Sequence, residues 1–138
     1  MWSLYIVDIA CFLLAIFFAI LFLQSGFDKV FNRDDNISYF RTHFQATYFS
    51  NFIILLFWMI TSLECFTGIV CLSSILLLLS PTTISLAYHL LACGFIFSNI
   101  TIICLFLGQR IAKDYAGAAS LAVYFVNSIV GLLLLNFI

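Results

Sequence analysis

The chain has 138 residues, 65% of them hydrophobic and 8% charged, and a mean hydropathy of +1.22. A water-soluble domain carries about 25% charged residues, so this chain cannot coat a water-facing surface and reads as an integral membrane protein. A net charge of −1 without a long basic run argues against nucleic acid as a partner.

The first apolar segment runs from about residue 4 to 24. No basic stretch precedes it and no cleavage site is evident, so it reads as a retained span rather than a signal peptide. Its helix is expected to continue through Ser25, Gly26 and Lys29 to Phe31. Asn32 to Asn36 then reads as a turn. Ile37, Phe40 and Phe44 follow at helical spacing, as in short helices that lie at the headgroup boundary.

The second span covers residues 52–79 and carries one acid, Glu64, near its middle. A hydrocarbon core is about 30 Å thick and about 20 helical residues cross it. An ionised, unpaired carboxylate at such depth costs several kcal/mol. Pro81 suits a first helical position before the third span, 82–107. Gly108 can end that helix. Asp114 is a fitting N-cap for the fourth span, 115–137. These elements predict one membrane domain over residues 1–138, an all-α four-helix bundle with a short interfacial helix between spans one and two.

All five basic residues fall in two connections, Lys29, Arg33 and Arg41 after span one and Arg110 and Lys113 after span three. Both connections lie on one side of a four-span protein. The positive-inside rule places them in the cytoplasm and both termini outside it. The five cysteines (Cys11, Cys65, Cys71, Cys93 and Cys104) sit in apolar stretches and form no CxxC pair, which argues against disulfide exchange.

Each span carries a stripe of small or polar residues of the kind that lets membrane helices approach closely. The stripes are Asp8, Ala15, Ala19 and Gly26; Thr61, Glu64, Gly68 and Cys71; Ala87, Leu91, Gly94, Ser98 and Thr101; and Gly117, Ser120, Tyr124, Asn127 and Gly131. Counting depth along the spans predicts a buried polar cluster of Glu64, Asn127, Asn99 and Ser98. It serves either to hold the helices together or as a ligand or proton site. The apolar interior favours a neutral or hydrogen-bonded carboxyl at Glu64. No cation counts to its depth, so an ion pair ranks last. Asp8 and His89 fall at similar depth near the outer surface, as interfacial polar groups or as a pair beside a quinone. Asp28, Lys29, Arg110, Lys113 and Asp114 are expected to gather at the cytoplasmic end, as a solvated ion-pair cluster or as a site for an anionic headgroup or partner subunit.

Phe22-Leu23-Gln24-Ser25-Gly26-Phe27-Asp28-Lys29 resembles the end of the first span in the DoxX-like family of small four-span bacterial membrane proteins. Leu63-Glu64-Cys65-Phe66-Thr67-Gly68 is similar to that family's second-span acid and glycine, and the segment from Gly108 to Gly117 resembles a cytoplasmic segment of bacterial members. The resemblance follows all four spans in order. It implies an inner-membrane four-helix protein and singles out Gly26, Lys29, Glu64 and Gly68. Some members of the family are subunits of quinone-linked assemblies. The fold is also similar to that of vitamin K epoxide reductase-like proteins, whose CxxC this chain lacks. No haem pair, Fe–S cysteine motif, flavin fingerprint or metal-ligand set appears, so an electron carrier would come from a partner or from quinone itself.

Three functions stay open. The first is a non-catalytic subunit bound in the bilayer to other integral membrane subunits. The second is a quinone-linked redox or proton-handling subunit. The third is a small lipid-binding or transport protein.

Overall fold

In a bilayer every backbone polar group must be satisfied within the protein, and a helix does this within one segment. The computed structural model describes residues 2–138, with side chains from Ile6 onward, and is helical without a strand among them. Its helices are α1 (Trp2–Phe31), α2 (Arg33–Phe44), α3 (Ile53–Leu78), α4 (Ile84–Ile111) and α5 (Tyr115–Leu134). Short 3-10 turns at Tyr48–Phe52, Pro81–Thr83 and Leu135–Phe137 extend α3, α4 and α5. Four of these segments, Ile6–Phe31, Tyr48–Leu78, Pro81–Ile111 and Tyr115–Phe137, are long and apolar enough to cross a membrane. Large apolar side chains such as Ile9, Leu13, Leu55, Ile69, Val126 and Leu133 point outward, as lipid contact requires and water would not favour.

The helix ends follow local chemistry. Pro81 opens its turn at a position where no N–H is needed. The Asp114 carboxylate accepts from the Gly117 N–H at 2.9 Å and caps α5. Gly108 does not end α4 as its type suggested. The helix runs on to Ile111, and the chain turns at Lys113, whose φ of 61° is left-handed. Gly108 lies under the Phe44 ring, where a Cβ would make an ordinary 3.4 Å contact.

Within the bundle, α3 is flanked by α1 and α4, and α5 packs on α4 and meets α1, where the Phe17 and Tyr124 rings lie 5.8 Å apart. Phe18, Phe22, Phe95, Leu91 and Ile102 are fully or almost fully buried at the centre. The α1–α3 contact is the closest. A Cβ on Gly26 would lie 2.6 Å from Cys65 Sγ and 3.1 Å from its backbone N, and one on Gly68 would lie 2.9 Å from the backbone N of Leu23. The α3–α4 contact carries a hydrogen bond between the Thr67 and Thr101 hydroxyls at 3.0 Å.

The stripes expected on α3 and α4 are buried throughout. On α5 the interior face is turned from the expected one. Gly117, Tyr124 and Gly131 belong to it, but Leu121 and Ser128 replace Ser120 and Asn127. Both sets have helical spacing. Ser128 takes the inner position because its hydroxyl reaches the Phe95 carbonyl at 3.0 Å and accepts from Asn99 at 2.9 Å. Ser120 is exposed and Asn127 half-buried.

The α1–α3 approach yields a test. Gly68→Ala places a methyl against Leu23 backbone that cannot rotate away, so overpacking should cost about 1–3 kcal/mol. Gly68→Leu should prevent bundle formation. Thermal unfolding in detergent checks both, with the lipid-facing Ile69→Leu expected to match wild type.

Candidate functional site

The Cα–Cβ bond of a helical residue tilts towards the helix N-terminus, so a long side chain lies over the preceding turn. Lys29 stands near the end of α1, and its side chain runs back one turn to Ser25. Its Nζ donates to Ser25 Oγ at 2.7 Å, and the Ser25 carbonyl lies 3.4 Å away. A lysine near a membrane surface commonly extends outward to water. Here it turns inward and is 11% exposed. The reason is Glu64 on α3, whose Oε2 is 2.8 Å from Lys29 Nζ. Ser25 Oγ donates to Glu64 Oε1 at 2.9 Å. The Lys29–Glu64 contact is an ion pair by distance. Oε2 has no other polar partner. The other ion pair among the described residues, Arg33 with Asp34, lies on the surface.

These three residues line a cavity of about 500 Å³ at the end of the bundle that carries the basic residues. Phe22 and Leu21 of α1, Ile60 and Leu63 of α3, Ile102 and Leu105 of α4, and Leu121 and Tyr124 of α5 make most of its wall apolar. α2 lies across the end. Phe40 packs edge-on against Phe57 at 5.5 Å, Phe44 is buried beside Gly108, and His43 Nε2 is hydrogen-bonded to Gln109 Oε1 at 2.8 Å. The apolar face of α2 is thus spent on the bundle. His43 and Gln109 also line the cavity, so polar groups meet it on two sides.

The expected cluster of Glu64 with Asn127, Asn99 and Ser98 does not form. Glu64 is 1% exposed and bonds across to α1 instead. Ser98 Oγ donates to the Gly94 carbonyl of its own helix at 2.8 Å. Asn99 donates to the Phe95 carbonyl and to Ser128, with its Oδ1 buried and unpartnered. The ranking of an ion pair last is likewise corrected. Counting residues compared the depth of Lys29 Cα with that of Glu64, whereas the side chain covers a further turn inward.

Asp8 and His89 do not pair. Asp8 Oδ1 accepts from the Tyr88 hydroxyl at 2.8 Å, and His89 Nδ1 is hydrogen-bonded to the Ser85 carbonyl at 2.7 Å on the exposed face. The neighbouring position, not the histidine, faces α1.

The cytoplasmic charged cluster separates as well. Asp28 accepts from Asn32 at 2.6 Å and Asn36 at 3.0 Å, which ties α1 to α2. Arg110 lies 4.7 Å over the Tyr115 ring, Asp114 is used as a cap, and Lys29 belongs to Glu64. Sequence reasoning missed Ser25, His43 and Gln109 as site residues. Ser25 was detectable, since it stands four residues before Lys29 on one helix face.

The chain matches no protein-family model, no curated protein and no solved structure.

Removing one partner of a buried ion pair strands the other charge, a loss of about 3–5 kcal/mol. Lys29→Met and Glu64→Gln should therefore each lower the unfolding midpoint in detergent. The double variant Lys29→Met/Glu64→Leu should lose less than the sum of the single variants, because no charge is left behind.

Proposed function

We propose that the protein is a membrane subunit that holds a neutral, quinone-like amphipath in the cavity at its basic end. The observation that carries this reading is the apolar cavity of about 500 Å³ with the Lys29–Ser25–Glu64 cluster in its wall. Small-molecule sites are typically apolar clefts of about 300–1,000 Å³ with a few convergent polar groups. The charge of Lys29 is balanced by Glu64, so the wall offers hydrogen-bonding groups without a net charge to recruit an anionic head. A quinone ring suits it, with a flat apolar body and two carbonyl acceptors. Lys29 stands as the donor on one side, held in place by Ser25, whose one hydroxyl proton goes to Glu64, and the Gln109 amide beside His43 stands on the other. A prenyl or alkyl tail fits between apolar helices.

In this reading the chain is non-catalytic on its own, and electrons come from other integral membrane subunits. Membership of the DoxX-like family is supported by the placement of the residues its pattern singles out. Gly26 and Gly68 lie at the α1–α3 contact, which also carries Lys29 and Glu64. The basic connections support an inner-membrane protein with both termini outside the cytoplasm.

Two measurements test these readings. Purification in mild detergent followed by organic extraction should recover quinone in near-stoichiometric amount, and Ser25→Ala should lower that occupancy several-fold without unfolding the protein. Recovery of diacyl lipid in its place would select the lipid-binding reading, and co-purification of a large assembly without quinone would select a purely structural subunit. For orientation, a cysteine introduced at Ser80 should react with an impermeant maleimide added from outside, and one at Asn32 should not, in a background lacking the native cysteines.

A further inference from the structure

Residues that line a cavity and also lie on the outer surface mark where the cavity opens. On α3 and α4 these are Met59, Cys104 and Leu107, an apolar rim, while Tyr39 of α2 and Ser120 of α5 mark a second, polar-edged opening. Leu56 and Leu63 of α3, half-buried, stand beside the apolar rim. Towards the other end of the bundle the same two helices are tightly joined. A Cβ on Gly94 would lie 3.0 Å from Cys71 Sγ, Phe66 and Phe97 pack edge to face at 4.8 Å, and Thr67 is bonded to Thr101. Past Thr67 and Thr101 the cavity reaches the surface at Met59, Cys104 and Leu107. The rim is apolar, within segments long and apolar enough to cross a membrane. The end of the bundle is covered differently, with Phe40 on Phe57, Phe44 against Gly108 and the His43–Gln109 hydrogen bond.

From this contrast we infer that the cavity is loaded sideways from the bilayer, through the opening between α3 and α4 rimmed by Met59, Cys104 and Leu107. The inference rests on the cavity being a ligand site. It adds the route and the class of molecule the route admits, a neutral lipid-soluble amphipath already partitioned into the hydrocarbon. Such a ligand leaves no apolar surface to water at any stage of loading, whereas passage under α2 would break the His43–Gln109 bond and expose Phe40 and Phe44.

The test uses the full chain in lipid nanodiscs and a decyl-substituted benzoquinone, followed by quenching of tryptophan fluorescence in a stopped-flow instrument. Trp58 lies on α3 beside Met59 at the rim. Cys104→Phe narrows the opening from an exposed position, where folding tolerates the added ring. It should slow association and dissociation alike by about 10-fold while leaving Kd unchanged, as expected of a gate and not of a contact. Ser120→Phe blocks the polar-edged opening on α5 and should leave both rates as in wild type if loading runs between α3 and α4. Unchanged rates in Cys104→Phe, or slowing by Ser120→Phe instead, would overturn the route while leaving the site intact. A weakened Kd with unchanged association would show Cys104 to be a ligand contact and would also overturn it. Failure of wild type to bind the quinone would remove the site itself, and the route with it.

Discussion

Placing Glu64 inside an apolar bundle strands a charge unless a cation comes to it. Burying a carboxylate or an ammonium costs several kcal/mol each, even after relaxation. Two opposite charges 4 Å apart regain about 4 kcal/mol at an effective dielectric constant of 20. Pairing therefore decides whether the acid can stay ionised. Lys29 can meet Glu64 because Gly26 and Gly68 let α1 and α3 approach almost to backbone contact, and because a helical side chain points back along its own helix. Ser25 then bridges the two charges, accepting from one and donating to the other. The registration of α1 on α3 and the polar wall of the cavity follow from this one arrangement.

The remaining buried polar groups mostly close on their own helices. Thr61, Ser98 and Thr101 each donate to the carbonyl four residues earlier, and Ser74 to the one three residues earlier. A hydroxyl that can reach its own backbone needs no partner on another helix. Cross-helix bonds are accordingly few, Thr67 with Thr101, Ser128 with Asn99 and the Phe95 carbonyl, and Tyr88 with Asp8. Polarity in the bundle thus acts locally, and the ionic cluster alone reaches into the cavity with net formal charges.

The cavity exists because α2 ends the bundle from the side. α1 passes almost directly into α2 at Asn32, and the Asp28 carboxylate holds Asn32 and Asn36 across that junction. The helix then crosses to α3 and α4 without filling the space below it. A cover fixed at its start by exposed amide bonds, and at its end by two aromatic rings and one histidine bond, leaves room for a small molecule beside Lys29 and Glu64.

Much of this was legible in the sequence, since hydropathy and length define spans without reference to other chains. The four spans, the helical stretch from Ile37 to Phe44, the Asp114 cap and the small-residue stripes of α3 and α4 follow from periodicity and residue type alone, whereas the turn read at 32–36 is the first turn of α2, which starts at Arg33. Partners across helices did not follow from them. Depth counted from Cα positions placed Glu64 among asparagines. The tertiary structure gave it to Lys29, because lateral order and side-chain direction, and not depth alone, decide which polar groups meet. The same cause moved the inner face of α5 from Ser120 and Asn127 to Leu121 and Ser128 and replaced His89 by Tyr88 beside Asp8. A rotation of one residue, about 100°, leaves a hydrophobic pattern readable but changes every polar contact. Only packing against the neighbouring helices selects among those rotations.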